Sequence, residues 1–135
     1  MSHWSTAYIG LPFAHGGRTR DGLDCWGLVR LVYADQLGIE LDPLDGYATR
    51  LERLRIAGML SEQAAQGPWR RLAGEKIKPF DVVSFTIAGA ASHVGVVVDW
   101  RDMLHVTEGE TSGLAPHSEG QWARRLIAAY RHVDR

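Results

Sequence analysis

Hydrophobic positions change their period part-way along this chain. Leu28, Val29, Leu31, Val32, Tyr33 and Leu37 recur at helical spacing, with Asp24 placed as an N-cap and Gly38 as a C-terminal stop. The spacing predicts a helix over 25–37, apolar around most of its circumference and therefore central. Residues 50–66 carry Leu51, Leu54, Leu60 and Ala64 at mixed three- and four-residue steps, which predicts a second helix. Its arginines, Arg50, Arg53 and Arg55, read as a solvated face. Beyond Gly67-Pro68 the period falls to two, predicting strands over 81–87, 92–100 and 103–107, with residues 100–102 as a hairpin loop. A last strand is expected over 126–133. The glycines and charges of 16–22 read as a loop, and Pro43 and Gly46 make 41–47 a connection. A helix followed by an antiparallel sheet is an α+β arrangement, and residues 1–135 are expected to form one domain.

Composition narrows the function classes. At 135 residues, 45% hydrophobic and 23% charged, the chain is long enough for one core without staples. A formal net charge of −1 provides no field to recruit nucleic acid or anionic lipid. No apolar run approaches the roughly 18 residues of a membrane span, and the first residues lack the pattern of a secretory signal. Synthesis in the cytoplasm is the matching expectation. Cys25 is the single cysteine, so an internal disulfide and a thiolate-rich zinc site are excluded. The histidines are scattered rather than set at ligand spacing, so neither metal nor cofactor is expected. No serine-hydrolase elbow or phosphate-binding glycine motif is present.

If Asp24 caps the helix, Cys25 is its first residue, and unpaired backbone N–H groups converge with the positive end of the helix dipole on the sulfur. That setting favours thiolate and can bring a thiol pKa from about 8.5 into the range 3.5–7.5. The same N–H groups can hold an oxyanion. Gly22 permits a sharp turn and Gly27 is expected to leave one helix face open. The alternative is that Cys25 is a small buried hydrophobe.

A nucleophilic thiol needs a base and a group to orient it. Alternation puts His93, Gly95, Val97 and Asp99 on one strand face and Val94, Val96, Val98 and Trp100 on the other, with Gly95 leaving room beside His93. Met103, His105 and Thr107 share a face of the next strand, and a three-residue loop makes it the His93 face. A regular hairpin closed by residues 100–102 sets His105 opposite Val97, about 13 Å along the strand from His93. Contact between the two rings then requires strong twist, a bulge or another register. Either ring can equally be a sheet residue satisfied by backbone.

Four segments together resemble a known family. They are residues 10–17 (Gly10-Leu-Pro-Phe-Ala-His-Gly-Gly17) with 22–29 (Gly22-Leu-Asp-Cys-Trp-Gly-Leu-Val29), 78–85 (Lys78-Pro-Phe-Asp-Val-Val-Ser-Phe85), 92–98 (Ser92-His-Val-Gly-Val-Val-Val98) and 103–106 (Met103-Leu-His-Val106). In order and spacing they resemble the NlpC/P60 cysteine peptidases. The resemblance implies a papain-like α+β fold with Cys25 as nucleophile, His93 as general base and then acid, and His105 orienting His93. It implies cleavage of peptidoglycan stem peptides between D-γ-glutamyl and a diamino acid. The run from Trp26 to Tyr33 is most similar to members found with phage tails and gene-transfer particles, which implies tail proteins as partners and action at the cell wall. The family often has a tyrosine where this chain has Phe13, so Tyr8 or His15 is expected to supply the missing polar group. Trp26 replaces a residue that is often serine and is expected to reshape the substrate side, and Asp24 matches a residue that helps to hold a substrate amine. A silent tail-assembly subunit, or an amidase or acyltransferase on the same fold, is the alternative.

Overall fold

The computed structural model describes residues 3–42, 67–87 and 90–134. The helix expected over 50–66 and most of the 41–47 connection lie outside them. The described elements are α+β, as expected. After a 3₁₀ turn at Trp4–Tyr8 come two short strands, β1 (Arg18–Thr19) and β2 (Gly22–Leu23), then helix α1 (Cys25–Val32), which runs on into a π-helical turn at Tyr33–Leu37. Strands β3 (Trp69–Arg71), β4 (Val82–Ile87), β5 (Ala90–Val97), β6 (Asp102–His105) and β7 (Gly113–Pro116) follow, then helix α2 (Gly120–Arg125) and strand β8 (Leu126–His132). β1 and β2 pair as a small hairpin, and the other six strands form an antiparallel sheet in the order β3-β8-β4-β5-β6-β7.

α1 begins and ends where its sequence dictates. The Asp24 carboxylate accepts from the Gly27 backbone N–H at 2.7 Å, satisfying one of the donors left over at a helix start. Gly38 closes the π-helical turn that continues α1, in the left-handed region at φ +65°, a conformation that costs glycine little. The 16–22 stretch, expected as a plain loop, is the β1–β2 hairpin, and it grips the helix. A Cβ built on Gly27 would lie 2.1 Å from the Gly17 carbonyl oxygen, and one on Gly17 would lie 2.2 Å from that of Gly22. The helix face at Gly27 is therefore closed by backbone rather than left open.

The sheet buries both faces. Val94, Val96, Val98 and Leu104 pack beneath α1 with Leu28, Val29 and Val32. On the other face Val83, Phe85, Val97 and Met103 pack beneath Trp122 of α2. Each face has its own apolar cluster, and β5 contributes alternate residues to both. Trp100, assigned to the core by alternation, is 75% exposed because it stands in the turn after β5. The Met103 side chain fills the space above Gly95, where a Cβ would meet its sulfur at 2.8 Å, so the gap expected there is occupied by the protein. Between β4 and β8 the sheet is tied by Arg131, whose Nε and Nη2 each donate to the fully buried Asp81 carboxylate at 2.8 Å.

Replacing Gly27 with alanine forces the helix and the Gly17 carbonyl apart. We expect a loss of about 1–3 kcal/mol in urea unfolding, the range for overpacking at a site without slack, whereas alanine at the exposed Glu40 changes stability by less than about 0.5 kcal/mol.

Candidate active site

Cys25 opens α1, and its side chain is 3% exposed at the wall of a narrow cavity of about 30 Å³. His93, Asp24, Phe13, His15 and Glu108 line the same cavity. A β-bulge shapes the strand at this point. Phe85 pairs with His93 but Thr86 pairs with Ala91, so β5 carries one extra residue immediately before the histidine. Bulges bend a strand and re-aim its side chains, and this one stands where β5 meets the cavity.

The β5–β6 register brings the second histidine within reach. Val96 pairs with Leu104 and Val97 with Met103, a register that, continued, sets His105 against Gly95 and diagonal to His93. His93 Nε2 lies 3.0 Å from His105 Nδ1, and the ring centroids are 5.2 Å apart. The separation of about 13 Å is thus corrected by a shift of two residues, which keeps both side chains on one face. Its cause is the turn. Residues 99–101 form the loop, and the Asp99 carboxylate accepts from the backbone N–H groups of Arg101 at 2.9 Å and Asp102 at 2.7 Å. Those two bonds hold the Asp99 carboxyl below the usual carboxylate range, the Asp102 donor foremost.

Trp122 was not singled out by the sequence, yet it covers both rings. Its indole stacks on His93 with centroids 5.2 Å apart at 26°, and meets His105 edge-on at 5.0 Å and 81°. It is itself 7% exposed. Burial pushes the His105 pKa down from 6.5 to about 4. Neutral near pH 7, His105 can accept at Nδ1 from an N–H on His93 Nε2 and so favour the charged form of His93.

The remaining expected site residues divide. Asp24 is buried, and one of its oxygens takes both the cap bond and an ion pair with Arg18 Nη1 at 2.8 Å. Phe13 packs edge-on against His15 at 5.1 Å, and His15 Nε2 lies 3.0 Å from Glu108 Oε1 at the cavity rim. Tyr8 and Trp26 stand elsewhere. The Tyr8 hydroxyl donates to Asp35 at 3.0 Å and accepts from Gln36 at 2.9 Å, beside the π-helical turn that follows α1, so it cannot serve the cavity. Trp26 points into the core, fully buried against Trp69, with its indole N–H donating to the Asp42 carbonyl at 2.8 Å. Adjacent residues of a helix face different directions, so a cysteine turned to the cavity places Trp26 away from it.

Residues 10–131 match the family model described as NlpC/P60. The chain belongs to the NlpC/P60 family. Among curated relatives it is 28% identical over 130 residues to a gamma-DL-glutamyl hydrolase of Bacillus subtilis (strain 168), covering 92% of this chain and 27% of that protein. It is 25% identical over 126 residues to the murein DD-endopeptidase MepS/murein LD-carboxypeptidase of Escherichia coli (strain K12), covering 93% and 58%. The chain thus spans only part of the length of either relative. The fold is that of solved NlpC/P60 proteins. The domain of the peptidoglycan hydrolase SagA aligns with a TM-score of 0.62 at 21% identity, covering 94% of this chain and 92% of that one. A Bacillus cereus ATCC 10987 family protein aligns at 0.68 and 19%, covering 96% and 38%.

Trp122 escaped the sequence reading because α2 is only six residues long and the strand signal of β8 begins directly after it. The one available signal was a tryptophan inside an otherwise polar Gly120–Arg125 segment.

Two outcomes follow from the covered histidine of this NlpC/P60 domain. Protonation of His105 is resisted in the folded chain and unhindered in the unfolded one. Its contribution to stability is therefore full above pH 6.5 and is lost as pH falls from there toward 4. A displacement from 6.5 to about 4 corresponds to roughly 3 kcal/mol. Urea unfolding across that window is expected to show the loss, and His105→Gln to flatten it. Trp122→Ala admits water, so the His105 titration followed by NMR is expected to move from about 4 back toward 6.5.

Proposed function

We propose that this NlpC/P60 chain is a cysteine endopeptidase of peptidoglycan stem peptides, cutting between a D-γ-glutamyl residue and a diamino acid. One observation carries the reading: Cys25 at a capped helix start shares a cavity with His93, which is hydrogen-bonded to His105. The names of the relatives, a gamma-glutamyl hydrolase and a murein endopeptidase, support the substrate class.

The residues divide the chemistry as follows. His93 takes the Cys25 proton, and the thiolate sulfur attacks the scissile carbonyl carbon to form a C–S bond. The carbonyl oxygen becomes an oxyanion held by backbone N–H groups at the start of α1. His93, now an imidazolium oriented by neutral His105, gives its proton to the leaving nitrogen as the C–N bond breaks. Water, deprotonated by His93, then attacks the thioester, and the sulfur leaves as thiolate. Phe13 supplies no hydroxyl to the oxyanion; we assign that help to His15, which lines the same cavity beside it and is held by Glu108.

We extend the proposal to a phage-tail setting, with synthesis in the cytoplasm, tail proteins as partners and action at the wall. The similarity of the Trp26 to Tyr33 run to tail-borne members supports it. A silent tail-assembly subunit is the alternative that the departures at Phe13 and Trp26 favour, but Trp26 is buried in the core and does not alter the cavity.

Purified muropeptides incubated with the protein under reducing conditions, with new amino termini followed by mass spectrometry, test the activity. We expect Cys25→Ala and His93→Ala to abolish product within detection, and His105→Gln to lower kcat by about 10²-fold, the scale of a lost acid–base positioning contact. Wild type indistinguishable from Cys25→Ala across pH 5–9 would exclude hydrolysis of these substrates.

A further inference from the structure

The histidine pair has a rear side. A groove of about 320 Å³, larger than the Cys25 cavity, is lined by His105, Thr107, Glu110, Gly113, Gln121 and Trp122, among other residues. Cys25 and His93 are absent from its walls and face the smaller cavity instead. His93 Nε2 is taken by His105 Nδ1 at 3.0 Å, which leaves His93 Nδ1 as the nitrogen for Cys25 and His105 Nε2 as the outer end of the pair. That outer nitrogen has no hydrogen-bond partner among the described residues, and no buried side-chain polar atom among them goes unpartnered. His105 Nε2 therefore touches solvent, and the groove is the space that brings solvent to it.

Gly113 keeps that nitrogen wet. It pairs with His105 across β6 and β7, so a side chain at this position would stand on the same face as the imidazole. No steric demand calls for glycine here. A Cβ built on Gly113 meets nothing within 4 Å, and its backbone is outside the left-handed region. The missing side chain leaves room beside the ring, and Thr107, Glu110, Thr111 and Gln121 around the groove supply polar groups that can hold water there. The front of the pair is different. The Cys25 cavity is only about 30 Å³ and is the space a substrate must fill, so a proton leaving His93 on that side has no path while substrate or product is bound.

We propose that the groove is a proton port, and that His93 exchanges protons with bulk solvent through His105 and the groove rather than through the substrate cavity. When the His93 imidazolium discharges, its Nε2 proton passes to His105 Nδ1 while the His105 Nε2 proton passes to a water in the groove. The N–H that remains on His93, at Nδ1, is the one that serves the Cys25 sulfur. Charging runs the same path in reverse. His105 changes tautomer but is neutral before and after, so the burial that resists a charge on this ring does not oppose the transfer. Only the need to charge and discharge His93 comes from the hydrolase reading above; the path itself exists without turnover.

Gly113→Leu closes the port while leaving Cys25, His93 and His105 in place. Solvent exchange of the His93 Nε2 proton, followed by ¹⁵N NMR, is expected to slow by about tenfold or more, with the contact between the two rings unchanged. Exchange as fast as in wild type would overturn the port. A second arm separates relay from orientation. His105→Gly is expected to lose about 10²-fold in kcat toward muropeptides. Imidazole, which fits the vacated ring space and can take a proton at one nitrogen while releasing one from the other, should restore about tenfold of that loss. 1-Methylimidazole accepts from His93 equally well but has no second proton to pass on, and should restore little. Equal rescue by the two azoles would make His105 an orienting group alone and overturn the relay. If wild type cuts no muropeptide yet exchange slows in Gly113→Leu, the hydrolase reading fails and the port stands.

Discussion

A single carboxylate sets the geometry on which the histidine pair depends. Asp99 accepts from two backbone N–H groups of the β5–β6 turn and thereby decides that the loop comprises residues 99–101. Moving the loop by one residue moves the strand pairing by two. Because the side-chain period of a strand is also two, the slip preserves the face while changing the partner. With the loop at 99–101, His105 stands diagonal to His93 and their ring nitrogens meet at 3.0 Å. With the loop at 100–102 they are separated by most of the length of a short strand.

That difference explains what was legible in the sequence. The helix carrying Cys25 was readable because its signals are local: a capping aspartate, apolar residues at helical steps and a terminal glycine. The sharing of a face by His93 and His105 was readable from alternation. Their contact was not, since it hangs on which of two equally long loops forms, and the deciding factor is a side chain bonding its own turn. Trp100 and Gly95 were misplaced for related reasons. Alternation says which side a residue faces, but not where the strand ends, nor whether a neighbouring strand sends a methionine into the space above a glycine. The 3₁₀ turn, the two short strands before α1 and the strands β3 and β7 are too brief for periodicity to register, and Trp122 sits on a helix shorter than two turns.

The two faces of the sheet take separate tasks. One supports α1 and through it the sulfur; the other lies beneath α2 and Trp122, which exclude water from the histidines. The two come together at the end of β5, where the bulge before His93 bends the strand. The indole that dries His105 depresses its basicity, and a ring that stays neutral is the better acceptor for a neighbour that must charge and discharge. Packing and acid–base chemistry are here the same interaction seen from two sides.

The contact of Gly17, Gly22 and Gly27 has a consequence for how this scaffold tolerates change. At Gly17 and Gly27 main chain touches main chain, so those two contacts at the helix start involve no side chain that drift could swap for a near-equivalent. The residues lining the surrounding hydrocarbon can be exchanged in shape and volume while the sulfur keeps its address, whereas the hydrogen atoms of Gly17 and Gly27, each standing where any other amino acid has a carbon, meet backbone that has nowhere to go.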